Sequence, residues 1–478
     1  MHATTTAERH DPLAGYALDE RFYDEAVDPS GEPRPHYRGL IAALADTDLE
    51  ELDRCVAHDL HSRGVTFASE TGDAAFAVDA FPRVIPSVEW EPLAAGLCQR
   101  VRALNAFLAD AYGERRIVAA GRVPDRVLEG AQHQDPLMRG VPVRSGVYAG
   151  MAGLDVVRGH DGRFEVLEDN LRTPSGLAYM EAARDVLDER LPAQAQQSKR
   201  TLGGVYDMLG DALRAAAPEA VDEPAIVLLS DGPSNSAWWE HEVIARKLAL
   251  PLVTPADLEP RADRLFARIG DQLQPVDVVY RRTDEDRLTD DLGELTPIGA
   301  LLIGPLRAGT LGCFNAYGPG LADDKLVHAY VEEMIQFYLG EEPLVPSVCT
   351  YDLAEPEPRA VALGRLEELV VKPRTGHGGY GVLIGPHARR EDVEAVRRAI
   401  VAAPDRWVAQ ETVQISRHPT VCGGRLEPRH VDLRPFVVSA GEDVRVVPGA
   451  LTRVAFGRGA LVVNSSQNGG GKDTWVLR

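Results

Sequence analysis

The sequence predicts an α/β protein with more than one domain, on three observations. At 478 residues the chain exceeds the size of one ordinary hydrophobic core. Residues 225–254 run in β–loop–α–β order (AIVLLS, DGPSNS, AWWEHEVIARKLAL, PLVT), which is typical of a parallel sheet covered by helices in a three-layer domain. After residue 360, short β-branched runs alternate with glycine turns and indicate a further sheet.

The elements before the α/β block follow in chain order. Residues 1–35 are polar and proline-rich and indicate an N-terminal arm. Residues 36–150 are mainly helical, with Leu97, Val101, Leu104 and Leu108 at helical spacing. Residues 151–200 include two apolar runs joined by a His-Asp-Gly turn at 160–162, which predicts a β-hairpin.

The remaining boundaries come from composition. The α/β domain is expected over residues 201–350. The stretch YDLAEPEPRA, residues 351–360, is acidic and proline-rich and is predicted to be a linker. Residues 361–478 then form a lobe of short strands.

Charge and composition exclude several classes of function. The formal net charge of −22 repels phosphate backbones, so we expect neither nucleic-acid nor anionic-membrane partners. Five scattered cysteines argue against a disulfide scaffold. The first 15 residues lack an apolar signal core, and no apolar run reaches membrane-spanning length. These features predict a cytoplasmic protein.

A glycine-rich stretch, VVKPRTGHGGYGVLIG at 370–385, suggests a phosphate site. Its G-x-G-x-x-G spacing resembles a dinucleotide fingerprint, but that fingerprint requires a helix after the glycines and a strand follows here. A glycine hairpin closing over phosphates, with a lysine on the preceding strand, fits better. An ordinary glycine hairpin stays open as the alternative. The candidate nucleotide-binding residues are Lys372, Gly376, His377, Gly378, Gly379, Tyr380 and Gly381.

Further polar residues follow strands in the last hundred residues. Gln410 and Glu411 end the run WVAQE, where an acid suits a ribose hydroxyl, although an exposed strand-end acid is equally plausible. Asp432 and Arg434 share one face of a predicted strand and could form only a structural ion pair. A second predicted anion cradle comprises Arg453, Asn464 and Lys472.

Oxygen ligands for a metal are predicted at the early hairpin. In LEDN, Glu168 and Asn170 face the same side of a strand by period-two alternation, and Asp155 lies on the preceding strand. Carboxylates suit Mg²⁺ that is shared with phosphates. Taken alone, the same residues would also fit a common turn.

Together these motifs resemble an ATP-grasp enzyme whose motif order is permuted. An ordinary ATP-grasp chain places the phosphate lysine and glycine loop first and the E-x-N metal pair last, whereas here the metal pair comes first. Stretches such as FYDEAVDPSGEPRPHYRGL, VLEDNLRTPSG, RHVDLRPF and NSSQNGGGKDTWVL are similar to the circularly permuted ATP-grasp family (type 2), related to glutathionylspermidine synthetase-like ligases. Ala450 and Asn468 depart from that pattern, since glycine is usual at both.

The resemblance implies a fold and a reaction. The fold is a circularly permuted ATP-grasp of α+β lobes with an inserted, pre-ATP-grasp-like α/β domain. The reaction is ATP-dependent joining of a carboxylate to an amine through an acyl phosphate, with ATP and two Mg²⁺ ions as cofactors. In this scheme Lys372, Arg453 and Arg172 are catalytic and Asp155, Glu168 and Asn170 hold the metal. A non-catalytic nucleotide-binding partner and an ATP-dependent phosphotransferase are the alternatives.

The substrate residues are expected mainly on the α/β domain. Arginines suit a carboxylate donor and acidic residues suit an amine acceptor, although solvated surface is the alternative for each. The candidates are Asn235, Ser236, Glu240, Arg281, Arg282, Asp324 and Lys325. We expect small-molecule or peptide carboxylate and amine substrates; a homodimer and a protein-bound substrate stay open.

Overall fold

The structure is a computed structural model that describes residues 11–69, 72–196, 198–375, 381–457 and 469–478. The α-helices of these residues are α1 (Arg38–Leu44), α2 (Leu49–Ser62), α3 (Ser87–Ala111), α4 (Arg116–Ala119), α5 (Asp125–Glu129), α6 (Leu177–Arg190), α7 (Val205–Ala215), α8 (Trp238–Lys247), α9 (Pro297–Arg307), α10 (Lys325–His328), α11 (Val331–Met334), α12 (Pro356–Gly364) and α13 (Arg390–Ala402). The strands are β1 (Thr66–Ser69), β2 (Gly72–Ala75), β3 (Val78–Ile85), β4 (Met151–Gly153), β5 (Asp155–Arg158), β6 (Phe164–Glu168), β7 (Ile226–Leu229), β8 (Leu252–Val253), β9 (Leu258–Arg261), β10 (Arg264–Ile269), β11 (Gln272–Val276), β12 (Val278–Arg281), β13 (Gly312–Phe314), β14 (Thr350–Asp352), β15 (Leu369–Pro373), β16 (Leu383–Ile384), β17 (Trp407–Glu411), β18 (Arg417–Cys422), β19 (Arg425–Ala440), β20 (Asp443–Ala455) and β21 (Gly469–Val476).

A large mixed sheet forms the centre of the molecule. Its strands run in the order β3-β21-β20-β19-β5-β6, and β4 and β18 also pair with β19. The pairing is antiparallel except for β21 beside β3. Strands β5 and β6 form the predicted hairpin, so this part of the sequence prediction is confirmed. The sheet therefore brings the early hairpin next to strands from the end of the chain.

The α/β domain has the predicted parallel sheet, in the order β13-β12-β7-β8. Alternate strand residues face different helices, as the pleat requires. Leu228, Tyr280 and Phe314 share a core with α7 and α8, whereas Val227 and Val279 share another with α9. This arrangement is a three-layer sandwich. The structure also contains a small antiparallel sheet, β11-β10-β9, which was not predicted from the sequence.

A smaller sheet, β14-β17-β15-β16, forms a lobe with its own core. The interpretation of residues 351–360 as a linker is wrong. Residues Thr350–Asp352 pair with β17, and α12 begins at Pro356 in the first helical position. Proline is well tolerated there because its missing N–H would have no partner in the helix.

The N-terminal segment packs against the central sheet rather than projecting from it. Ala26 and Val27 are buried in a hydrophobic core. Glu25 is 1% exposed and pairs with Arg83 of β3 at 2.5 and 2.7 Å. No helix in the described ranges is both long and apolar enough to cross a membrane.

Candidate active site

The candidate site lies where the central sheet meets the smaller sheet. Nζ of Lys372, on β15, lies 3.2 Å from Oε1 of Glu168 at the end of β6. Leu167, Val408 and Gln410 line the cleft between these strands, whose cavity is about 20 Å³. The cleft is therefore closed by an ion pair between residues 204 positions apart.

Two carboxylates face each other across the β5–β6 hairpin. Asp155 is the cross-strand partner of Glu168, through a register shift between Asp155 and Val156. Arg434 donates to Asp155 at 2.9 Å, and Nη2 of Arg453 lies 2.8 Å from its other oxygen. Burial acts to raise the pKa of Asp155, but these two guanidinium groups hold the pKa below its usual value. Asp155 is therefore a buried, ionised carboxylate.

Arg453 joins a second carboxylate to this cluster. It lies opposite Asp432 across β19 and β20 and donates to it at 2.5 and 2.8 Å. Burial raises the pKa of Asp432, which Arg453 only partly offsets. Burial also acts to raise the pKa of Glu168, but Lys372 holds it below its usual value. The cluster thus combines buried Asp155, Asp432 and Arg453 with Glu168, whose side chain is 37% exposed.

Asn170 completes the predicted E-x-N pattern. Its Nδ2 is buried and has no hydrogen-bond partner among the described residues. Within the same ranges, no group of three His, Cys, Asp or Glu side chains is arranged to hold a metal. Two carboxylates and one amide nevertheless form an all-oxygen donor set, which Mg²⁺ prefers. These side chains supply the kind of ligand that Mg²⁺ prefers, and their assignment as its ligands stays a prediction.

Arg172 is held from two sides by carboxylates. Its Nε donates to Asp323 at 2.8 Å and its Nη1 donates to Asp286 at 2.6 Å. Nε2 of His133 lies 3.4 Å from the same Nη1. His133 was missed by sequence reasoning because it is 39 residues from Arg172 and belongs to no motif. Two carboxylates fix the guanidinium in one orientation.

The two polar residues at the end of β17 already have partners. Gln410 donates to Oγ1 of Thr350 at 3.0 Å and lines the cleft. Glu411 accepts hydrogen bonds from Arg365 at 2.9 and 3.0 Å and from Tyr351 at 2.6 Å. Among the described residues Oε2 of Glu411 accepts one bond, from Arg365, so its second lone pair could accept the predicted ribose hydroxyl.

Lys472 does not join the cluster, which corrects the sequence prediction. It lies opposite Thr452 on β20, so its side chain leaves the face that carries Arg453. There it is fully buried and contacts the carboxylate of Asp79 and the carbonyl of Pro419. Lys472 stabilises the interior rather than lining the cleft.

Several predicted nucleotide contacts cannot be placed. Gly376, His377, Gly378, Gly379, Tyr380 and Asn464 lie outside the described residues. Gly381, directly after the glycine stretch, has φ of 73°, a conformation that favours glycine. A Cβ atom there would also lie 3.3 Å from the ring of Pro373.

Two predicted substrate residues instead attach the α/β domain to residues 174–178, which follow Arg172 in the chain. Oε1 of Glu240 accepts from the backbone N–H groups of Gly176 and Ala178 at 2.9 and 3.0 Å. Arg282 donates to Oε2 of Glu240 at 2.9 Å and to the carbonyl oxygen of Pro174 at 2.8 Å. Both side chains are buried, and they hold the α/β domain against residues 174–178.

The other substrate candidates are divided between interior, surface and cleft. Asn235 is buried and bonds to Asp231 and Asp284, whereas Ser236 is exposed. Arg281 is buried over the ring of Tyr317. Asp324 pairs with Arg374 at 2.9 Å. Asp324 and Lys325 both line the cleft, and Lys325 lies near Glu168 and Lys372.

Comparison with known proteins explains this grouping of distant residues. Residues 82–455 match the model of the family described as circularly permuted ATP-grasp type 2. The chain belongs to this family. The permuted order inferred from the metal pair and the glycine loop is thereby confirmed.

The relatives differ in name and in length. A protein of Frankia alni named putative glutamate–cysteine ligase 2-3 is 45% identical over 467 residues, covering 95% of this chain and 54% of that protein. The chain thus spans about half the length of that relative. An uncharacterised protein of Synechocystis sp. is 40% identical, covering 96% of this chain and 97% of that one. A solved structure of a glutathione synthetase-like effector from Globodera pallida, in its apo form, is 11% identical with a TM-score of 0.57, covering 94% of this chain and 100% of that one, and shares the fold.

Proposed function

We propose that the protein is an ATP-dependent carboxylate–amine ligase that acts through an acyl phosphate. The observation that supports it best is the cluster of Asp155, Glu168, Lys372 and Arg453, which joins two sheets at one closed cleft. Family membership supports ATP use. The ligase names of the Frankia relatives favour amino acids or small peptides as substrates.

Two cations of the cluster pair with carboxylates, and a ligand could replace the carboxylates in these pairs. Lys372 contacts Glu168, and Arg453 contacts Asp155 and Asp432. When a triphosphate enters, its oxygens can replace these carboxylates as partners of the cations. Asp155, Glu168 and Asn170 would then hold Mg²⁺, which supplies positive charge against the phosphate oxygens.

Arg172 is suited to the acyl-transfer part of the reaction. In the first step a carboxylate oxygen of the substrate attacks the γ-phosphorus, and the bond to ADP breaks. In the second step the amine nitrogen attacks the carbonyl carbon, phosphate leaves, and the nitrogen loses a proton. Arg172, held by Asp286 and Asp323, would stabilise the negative oxygen of that second step.

Release of ADP tests the proposal as a whole. Purified protein with Mg·ATP and pooled amino acids, polyamines and small peptides should form ADP, and mass spectrometry should identify an amide product. Hydroxylamine added during turnover should trap a hydroxamate, because it attacks acyl phosphates. ADP without an amide or a hydroxamate would indicate a phosphotransferase, and nucleotide binding without ADP would indicate a non-catalytic partner.

Glu168→Gln tests the metal assignment. The substitution removes the charge that Mg²⁺ requires, so we expect turnover to fall by at least about 100-fold. Glu165→Gln is the matched control, because Glu165 lies on the same strand but pairs with Val157 rather than with Asp155. Similar turnover of the two variants would reject Glu168 as a metal ligand.

A further inference from the structure

A second cavity, which we call the edge cavity, lies beside β13, the edge strand of the parallel sheet in the α/β domain. Its volume is about 260 Å³, and the described residues that line it are all different from those that line the cleft. Cys313 and Phe314 of β13 form one wall, and residues 138–147, the ends of α7 and α9 and Gly441 form the others. Such junctions between parts of a protein are common places for small-molecule sites.

Most side chains around the edge cavity are apolar. Met138, Val141, Leu306 and Leu311 line it, and all four are buried in one hydrophobic core. A cavity of about 150 Å³ with apolar walls can hold benzene. The edge cavity is larger, so it has room for a group the size of an indole ring. A ligand with a compact apolar part is therefore suited to it.

Two opposite charges stand at the solvent side of the edge cavity. Among the described residues that line it, Arg144 and Glu219 are the only ones with a charged side chain. Nη1 of Arg144 lies 3.5 Å from Oε1 of Glu219, and the two side chains are 42% and 90% exposed. Such an exposed pair contributes little in water, so either partner can exchange for a charged group of a ligand.

We propose that the edge cavity binds a free α-amino acid with a large apolar side chain. The apolar side chain packs against Val141, Leu306 and Leu311, the α-carboxylate accepts hydrogen bonds from Arg144, and the α-ammonium donates to Glu219. The amino acid thus forms two charged pairs where the protein alone has one. This site does not depend on the proposed function, because neither ATP nor the cluster in the cleft takes part.

Three probes that share an indole ring test the charge pattern. L-tryptophan carries both charges, indole-3-propionate lacks the ammonium, and tryptamine lacks the carboxylate. Titration calorimetry of the full chain should show one L-tryptophan bound, about threefold more tightly than either of the other two. Equal affinity for the three probes, or no saturable binding of L-tryptophan, L-phenylalanine or L-leucine, overturns the proposal.

Two substitutions separate the roles of the charges. Arg144→Gln should lower the affinity for L-tryptophan to about that for tryptamine and should not lower the affinity for tryptamine. Glu219→Gln should do the same with respect to indole-3-propionate. Arg214→Gln is the matched control, since Arg214 forms an exposed pair with Asp211 on α7 but lies outside the edge cavity. Unchanged affinity for L-tryptophan in the Arg144 and Glu219 variants overturns the assignment.

A larger side chain in the wall tests where the apolar part lies. Ala216 lines the edge cavity at the end of α7, so Ala216→Trp should fill the space and weaken binding of all three probes by at least about tenfold. A folded Ala216→Trp protein that binds them like the wild type overturns the site. If this variant does not fold, the Arg144 and Glu219 variants, which change only exposed side chains, decide the question.

Glu168→Gln distinguishes the edge cavity from the cleft. This variant should bind L-tryptophan with the affinity of the wild type, because Glu168 lines only the cleft. Loss of L-tryptophan binding in Glu168→Gln would place the amino acid in the cleft and overturn the proposal. A protein that shows the expected binding pattern but forms no ADP would reject the ligase proposal and support the edge cavity as a site.

Discussion

At the scale of single residues, the buried ion pair of Lys472 and Asp79 contributes to the stability of the folded protein. Both side chains are fully buried or nearly so. We expect Lys472→Met to lower the free energy of unfolding by about 3–5 kcal/mol, because Asp79 would be left buried without a cation. Urea denaturation followed by fluorescence measures this loss. Nucleotide affinity per folded molecule should not change, since the side chain lies away from the cleft.

The double variant Lys472→Met, Asp79→Asn is the control for that prediction. Phe81 and Val421 donate to different oxygens of Asp79, so an uncharged amide at position 79 can still accept from one of these two backbone N–H groups. Removing both charges together should therefore restore much of the lost stability. A double variant as unstable as the single one would show that lost packing, not the unpaired carboxylate, causes the effect.

The predicted hairpin was enough to bring some site residues together but not others. Asp155, Glu168 and Asn170 are close in sequence, so the β5–β6 hairpin fixes their relation. The face of Lys472 depends on the pairing of β21 with both β20 and β3. Such long-range register is not encoded in the local pattern, and a lysine beside glycines is equally compatible with either face.

At the scale of elements, α8 is held to β7 by a buried histidine whose protonation opposes folding. His241 is 1% exposed and its Nδ1 lies 2.8 Å from Oγ of Ser230. Burial, with a smaller effect of Arg282, lowers the pKa of His241 to about 2. The unfolded chain takes up this proton below pH about 6.5, whereas the folded chain does not. The contribution of His241 to the free energy of unfolding is therefore retained above that pH and lost progressively as the pH falls below it.

His241→Gln tests this linkage. The stability advantage of the wild type over the variant should shrink by about 2 kcal/mol between pH 7 and pH 5. Urea denaturation at both pH values measures it. Ser230→Ala removes the hydrogen bond without removing the titrating group. Its difference from the wild type in the free energy of unfolding should therefore be the same at both pH values. A pH-independent difference for His241→Gln would contradict the prediction.

The segment 351–360 shows how an element can be misread from composition. Proline and acidic residues were interpreted as a linker, yet Pro356 and Glu357 lie in the first turn of α12. Both are favourable at a helix start, proline for its fixed φ and glutamate for its interaction with the helix dipole. By contrast, β7 and α8 were predictable because their apolar patterns are long and separated by a clear loop.

At the scale of the whole molecule, the permuted order makes the site depend on long-range assembly. Glu168 meets Lys372 from 204 residues away, and Asp155 meets Arg434 from 279 residues away. The resemblance to a known motif set predicted that these residues belong together. Local patterns could not show that Arg172 would be flanked by Asp286 and Asp323, since mixed charges in loops are usually solvated.

Glu25 connects the N-terminal segment to this assembly. It pairs with Arg83 of β3 and accepts from Ser416, and Arg83 also donates to the backbone oxygen of Asp432. Burial acts to raise the pKa of Glu25, but Arg83 and Arg158 hold it below its usual value. The pair is 0% and 1% exposed, so its charges are not screened by solvent. The segment is therefore part of the fold that supports Asp432.

Glu25→Gln should destabilise the central sheet as a whole. Neutralising Glu25 leaves Arg83 buried without its carboxylate, and we expect a loss of about 3–5 kcal/mol in the free energy of unfolding. Urea denaturation followed by near-ultraviolet circular dichroism and by loss of ATP binding should show both midpoints shifting together, because Arg83 contacts the strand that carries Asp432. Glu20→Gln, a substitution elsewhere in the same segment, should shift neither midpoint. A shift confined to one probe would mean that the N-terminal segment unfolds independently of the site.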